Sequence, residues 1–392
     1  MNWRELILGP AYLYHHRLIK ESYTWSQSDI IRFLERKKKQ FQNENDYTIS
    51  SKADILKAPK QYELKNHLTK EVTTGGTSGE PFQFKIDLFS RRQKERAYIH
   101  DIWRTVGYKP FSLRVIIRGN INKKLISYNM IENAYIINPS LLRPNRKSEV
   151  KSFLHTLPPF YIHCYPSSLL RFIDYIGYNY FRDLKACGIL AGSETFPKNQ
   201  MDWFRNTLGL EIAHWYGHSE YAVLAKYCTE CRGFHFYPTY GLAEFEPNNN
   251  GTKSIIATSY NILGTRFIRY NTGDLVKLDS ITCKSCLFPR VASIIGREQE
   301  TIIDKYRQSH AFGPLLFGIH GNFWKIITDV QFIQDSPGIV MIMLVGVRDK
   351  NKSWIEKYLK NRFALMECKF FYVDKISKTK RGKHKYFINK MI

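Results

Sequence analysis

The chain has no apolar run of about 18 or more residues, the length a membrane-spanning helix requires. Its opening stretch, MNWRELILGPAYLYHHRLIK, holds only a brief apolar segment, interrupted by Pro10 and followed by histidines and basic residues. A soluble, unexported protein of the cytoplasm is expected, with the inner membrane face left open as an address. Cysteine is scarce and odd in number: seven residues, four of them in two Cys-x-x-Cys pairs. That suits a reducing compartment and a bound metal better than a disulfide framework. Acidic residues are the minority, 35 against 59 Lys and Arg, which leaves a net charge of +24. A field of that sign attracts polyanions. The basic residues are spread along the whole chain without a helix-turn-helix, zinc-finger helix or RNP pattern, so nucleic acid is not the expected partner. Anionic lipid, a lipid-linked glycan, an acidic carrier protein or a pyrophosphate-linked substrate would be attracted equally, and a surface kept basic for solubility is as good a reading. Neither a Walker Gly-Lys-Ser/Thr ending nor a Gly-x-Gly-x-x-Gly after a strand is present. The chain also lacks internal repeats and low-complexity linkers.

What is there, over 392 residues with 43% hydrophobic content, suits two or three globular domains. Short runs rich in Ile, Val and Tyr (113–119, 134–138, 160–165, 187–192) alternate with helix-like stretches such as PSSLLRFIDYIGY from Pro166. This is the β-then-α pattern of a mostly parallel sheet with helices on its faces. From about residue 210 the texture changes to closely spaced strands, including KSIIATS at 253–259 and TRFIRY at 265–270, which predicts an antiparallel subdomain. The last ninety or so residues read strand, strand, helix, strand, a small α+β domain on a short hinge. The fold class is α/β: a large N-terminal domain of mixed, mostly parallel sheets with helices and an antiparallel subdomain, then a small mobile α+β domain.

The segment TTGGTSGEP at 73–81 sets three glycines among hydroxyl residues, and such a loop can surround phosphate oxygens with backbone N–H and hydroxyl groups. Alone it is more often a plain connection. Four further stretches follow it in order: WYGHSE at 215–220, YNTGDL at 270–275, IIGREQE at 294–300 and SKTKRGKHKYF at 377–387. Together the five resemble the core motifs of the adenylate-forming (ANL) superfamily of acyl and aryl ligases. HCYPSSLLRF at 163–172, GILAGSETF at 188–196 and the Cys pairs narrow the resemblance to the phenylacetate-CoA ligase branch. Within it, the chain is most similar to the short relatives of capsule and surface-polysaccharide clusters.

The resemblance implies a division into residues 1–297, carrying the ATP and acyl sites with a zinc-binding subdomain at about 210–290, and a lid of residues 298–392. It implies that ATP converts a small carboxylic acid into an acyl-adenylate, whose acyl group passes to an amine, hydroxyl or thiol acceptor, in capsule or surface-polysaccharide modification. An aryl-CoA ligase using coenzyme A is the alternative. A non-catalytic polyanion-binding protein on the same fold is a third. Thr74, Gly75, Gly76, Thr77, Ser78 and Gly79 would hold the β and γ phosphates. Glu220 would bind Mg²⁺, a role that suits a hard oxygen donor. Asp274 would accept the ribose hydroxyls, Arg297 would add a ribose contact, and Tyr216 would lie against the adenine or close the acyl site. Tyr165, Pro166, Gly192, Ser193, Glu194 and the run from His214 to Gly217 would line the cleft. Gln299 stands at the hinge, where aspartate is usual. Lys383 would bridge the attacking carboxylate and the α-phosphate. The loop continues Glu80-Pro81-Phe82 where many relatives have basic residues, so one phosphate contact is missing or supplied from elsewhere.

Cys228, Cys231, Cys283 and Cys286 supply the ligand set of a tetrahedral structural zinc site, against the alternative of ordinary free thiols. His235 is a stand-in ligand, more readily placed in a strand. Cys164, Cys187 and Cys368 read as buried apolar fillers.

Overall fold

The computed structural model describes residues 8–44, 47–64, 68–73, 82–88, 90–117, 124–192, 194, 196, 198–248, 251–260, 263–297, 301–307, 309–312, 315, 323–377 and 386–391. The chain divides into two compact units, the smaller built on Ile295–Ile392.

The larger unit is organised by a nine-stranded sheet. Its order is Arg290–Val291, Gly233–Phe236, Leu224–Cys228, Ile212–Gly217, Ala186–Gly192, Phe160–Cys164, Arg114–Ile117, Ala134–Ile137 and Ile126–Asn129. The central five, from Ile212–Gly217 to Ala134–Ile137, run parallel. The strands Leu224–Cys228, Gly233–Phe236 and Arg290–Val291 turn antiparallel at one side. Parallel strands are covered on both faces, and their short apolar runs read accordingly. Val115, Ile117, Ile162, Ile189 and Ile212 pack on one face against Leu169 and Phe172 of the helix Pro166–Ile176. That helix starts on Pro166, whose missing N–H costs nothing there, and ends at Gly177, whose φ of 91° opposes a further turn. Leu190, Ala213 and Leu224 face the other way, toward Tyr98, Ile102 and Trp103 of the helix Ser90–Arg104.

Two smaller sheets complete this part of the chain. Gly241–Pro247 pairs antiparallel with Lys253–Ser259, in a four-stranded sheet with Tyr270–Lys277 and Ser293–Arg297. The hairpin Thr69–Thr73 and Gln83–Asp87 brackets the glycine-rich loop. The expected strand at 265–270 is interrupted: Gly264–Thr265 and Tyr270–Lys277 are strands, while Arg269 between them has a φ of 42°. A left-handed residue cannot continue a ladder. Cys187 is exposed, a correction to its reading as a buried filler, whereas Cys164 is buried.

The smaller unit holds a four-stranded sheet, Glu367–Tyr372, Ile339–Val345, Asp329–Ser336 and Phe387–Asn389. Ile339–Val345 and Glu367–Tyr372 are parallel neighbours, so a crossover must join them, and the helix Asp349–Arg362 provides it. Ile355, Leu359 and Phe363 pack onto Val330, Phe332, Val340 and Ile342. Among the described residues no helix is long and apolar enough to cross a membrane.

Candidate functional site

The strand Ile212–Gly217 leaves the C-terminal edge of the parallel sheet and returns as Leu224–Cys228, with Gly217 opposite Leu224. The turn between them holds the candidate acid. Glu220 is buried, and one of its carboxylate oxygens lies 3.0 Å from Nδ1 of His218. The amide N–H of Val223 donates to Nε2 of the same ring at 3.3 Å, so the ring proton is on Nδ1 and is given to Glu220. Tyr270 donates its hydroxyl to the other oxygen at 3.4 Å. The carboxylate is thus oriented by two donors, His218 and Tyr270, one on each oxygen.

Beneath this turn, Tyr221 has a φ of 57° and carries the guanidinium of Arg91 over its ring at 3.9 Å. Glu95 accepts the hydroxyl of Tyr240, and burial pushes its carboxyl above the usual range. Tyr216 packs against His218 and Phe236. Gly192 ends the neighbouring strand opposite Trp215. A Cβ at Gly192 would overlap that indole, which explains the glycine. Glu194 is half-buried.

Asp274 is buried in the strand Tyr270–Lys277 and follows Gly273, whose φ is 72°. Thr272 ties this bend to the carbonyl of Ile255 at 3.0 Å. Arg297 is the last residue of its strand. Its side chain, together with Thr74, Gly75, Gly76, Thr77, Ser78, Gly79, Ser193, Gln299 and Lys383, lies outside the described residues. His214 departs from expectation. Strand alternation turns it away from the cleft into the core, against Phe196, Tyr227 and Phe234, where its Nδ1 donates to the carbonyl of Ala191 at 2.9 Å. Burial lowers its pKa to about 4.

The cysteines form a second centre. Donor atoms of Cys228, Cys231, Cys283 and His235 all lie within 4.8 Å of one another. The Cys228 and Cys283 sulfurs are 3.8 Å apart. That is the edge of a tetrahedron with bonds of about 2.3 Å, the zinc–thiolate length. His235 gives its Nδ1 proton to the carbonyl of Phe288 at 3.1 Å, and its Nε2 lies 3.2 Å from the Cys231 sulfur. A histidine ligand is oriented by such a carbonyl. Burial pushes the Cys228 thiol up, but hydrogen bonds from His235, the Cys231 amide and Ser285 outweigh it and hold the thiol at about 5. Arg290, bound to Asp279, donates to the Cys231 carbonyl at 2.8 Å and adds a compensating cation. Cys286 is buried beside His235 but stands outside the mutually close group. The spacing predicts four thiolates; the structure gathers three with a histidine.

Sequence reasoning missed His218 as a positioning group and Tyr270 as a donor to Glu220. Both sit inside quoted motifs, yet only folding puts them on one carboxylate.

Comparison with solved structures identifies the architecture. A 2-hydroxyisobutyryl-CoA ligase in the postadenylation state with R3-HIB-AMP superposes with a TM-score of 0.59 at 14% identity, covering 87% of this chain and 79% of that chain. The same enzyme with 2-HIB-AMP gives 0.56 at 13% identity, over 87% and 79%. The o-succinylbenzoate CoA synthetase of Bacillus subtilis with its OSB-AMP intermediate gives 0.50 at 14%, over 80% and 67%. The fold is that of the adenylate-forming ligases. Residues 314–390 match the model of the CapK C-terminal domain. No curated protein matches the sequence.

Proposed function

We propose that the chain activates a small carboxylic acid with ATP, forming an acyl-adenylate and pyrophosphate, and then transfers the acyl group to an acceptor. The observation that carries this reading is Glu220, a buried carboxylate oriented by His218 and Tyr270 at the C-terminal edge of the sheet of an adenylate-forming ligase fold. A carboxylate is a poor acylating agent, so its oxygen attacks the α-phosphorus of ATP and pyrophosphate leaves. The step crowds negative charge, and catalysis is mainly positioning and electrostatics. Glu220 would hold Mg²⁺, which when bound screens the phosphate charge. Thr74, Thr77, Ser78 and the loop glycines would hold the outer phosphates, Asp274 and Arg297 the ribose, and Tyr216 would lie against the adenine or close the acyl site. Lys383 would neutralise charge between the carboxylate and the α-phosphate. The lid, residues 298–392, would turn about Gln299 to admit the acceptor.

The CapK domain match over residues 314–390 supports a role in capsule or surface-polysaccharide modification. The similar structures are of coenzyme A ligases, which favours coenzyme A as the second reading for the acceptor. Zinc would be structural, its chemistry limited to tying Cys228, Cys231, Cys283 and His235 together.

Asp274 offers a direct check. Asp274→Asn keeps the shape and removes the charge that accepts two hydroxyls, so ATP affinity measured by calorimetry should fall by about tenfold or more. Unchanged affinity in a variant with unchanged melting would contradict the ribose assignment.

A further inference from the structure

We infer that Arg91, held over the ring of Tyr221, is a polyphosphate-binding residue of the candidate site, the cation that meets the outer phosphates of ATP. This rests on the nucleotide reading above and adds a residue to it.

The loop assigned to those phosphates brings no cation of its own. Residues 72–84 contain no Lys or Arg, and their single charged side chain is the acidic Glu80. Lys85, the first cation after the loop, is paired with Glu63 at 2.7 Å. Backbone N–H and hydroxyl groups can cradle phosphate oxygens, but a triphosphate also needs opposing charge. The next stretch of chain supplies it. The strand Gln83–Asp87 leads into the helix Ser90–Arg104, and Arg91 stands in the first turn of that helix.

Arg91 is a cation without a protein anion. It is half-buried, its Nε is buried with no hydrogen-bond partner, and among the described residues no carboxylate pairs with it and no carbonyl accepts from it. A guanidinium can only donate, so the missing partner is an acceptor. Glu95, one turn further along the same helix face, does not take that place: it accepts the hydroxyl of Tyr240, and burial raises its carboxyl above the usual range. What holds Arg91 is Tyr221, whose ring centroid lies 3.9 Å from the guanidinium carbon. A guanidinium over a ring face keeps its in-plane N–H groups, the fork that fits phosphate oxygens. Tyr221 directly follows Glu220, so the arginine is anchored at the residue beside the candidate Mg²⁺ ligand. Tyr221 is left-handed at φ 57° without being glycine, and its amide donates to the carbonyl of His218 at 3.1 Å. Such backbone is costly and persists where the surrounding structure over-determines it, as at ligand clamps. One turn thus carries both the carboxylate for the metal and the ring for the arginine.

Affinities for ATP and AMP are measured by calorimetry on the wild type, Arg91→Gln and Arg92→Gln. Arg92 is the exposed neighbour, and its loss removes the same charge from the general field. AMP lacks the outer phosphates. Arg91→Gln should weaken ATP by about tenfold or more and AMP by less than about twofold, with Arg92→Gln close to wild type for both. A merely structural stack would weaken both nucleotides alike. Equal losses for ATP and AMP, no loss for ATP, or an ATP loss matched by Arg92→Gln overturns the assignment while leaving nucleotide binding and acid activation standing. Should Arg91→Gln fail to fold, Arg91→Lys keeps the charge without the fork and should weaken ATP by at least about threefold with AMP unchanged; wild-type ATP affinity there overturns the assignment. If the wild type binds no ATP, the nucleotide reading fails, and tripolyphosphate decides for Arg91. Binding of tripolyphosphate that falls about tenfold in Arg91→Gln and not in Arg92→Gln upholds the polyphosphate site, and no binding or an equal fall sinks it.

Discussion

His214 shows how a buried side chain adds to the acid sensitivity of the fold, as His100 does, whose pKa burial lowers to about 3. The His214 pKa drops from 6.5 to about 4 because burial disfavours the charged ring. Between those values the unfolded chain binds a proton that the folded chain refuses. The contribution is whole above about pH 6.5 and is lost as pH falls toward 4, amounting to about 3 kcal/mol. His15, lowered to about 4 by burial and by Lys94, acts in the same direction. His214→Gln can keep a donor for the Ala191 carbonyl and cannot titrate. Urea unfolding at pH 7.5 and 4.5 should show a smaller acid loss for this variant, by about 2 kcal/mol. An unchanged difference would assign the acid sensitivity elsewhere. The family resemblance pointed to Glu220 and to the run from His214 to Gly217, but alternation along the strand sends odd and even residues to opposite faces, so a run read as a string overcounts the site.

The hairpin Leu224–Cys228 and Gly233–Phe236 decides which donors meet. Cys228 lies opposite Gly233, so both occupy one face, and His235, two residues on, shares it. Arg232, with a φ of 52°, closes the turn that sets this register. The Cys-x-x-Cys pairs were legible in the sequence as a candidate ligand set, with ordinary free thiols as the alternative. The choice of His235 over Cys286 was not, because it depends on strand register and on the path of the chain through 278–289. Phe288, which accepts from His235, also stacks on Tyr23 at 5.0 Å and so carries the centre's order to the N-terminal helices. Purified protein should carry about one equivalent of zinc. Cys228→Ser or His235→Ala should release it and lower Tm by at least about 5 °C, with Cys286→Ser milder. Metal-free protein with the same Tm, or Cys286→Ser matching Cys228→Ser, would remove His235 from the ligand set.

At the scale of the whole molecule, the order of the five motifs and the β-then-α rhythm made the architecture readable, since both depend on local patterns that survive wide divergence. The apolar runs at 113–119, 134–138, 160–165 and 187–192 all became strands of the one large sheet. Arg91 and Tyr221 could not be read as a pair, because they come from a helix and a turn whose neighbourhood exists only after the sheet is ordered. The net charge of +24 fits attraction of an anionic substrate or surface in general. The central claim is acid activation by ATP, and acid-dependent ATP–pyrophosphate exchange tests it most directly, with wild-type protein and Lys383→Ala side by side across aryl, amino and sugar acids. At least one acid should drive exchange in the wild type. Lys383→Ala should lower it by at least about a hundredfold, with ATP affinity little changed and a supplied acyl-AMP still consumed. Exchange with no acid in a folded, ATP-binding protein would contradict the account.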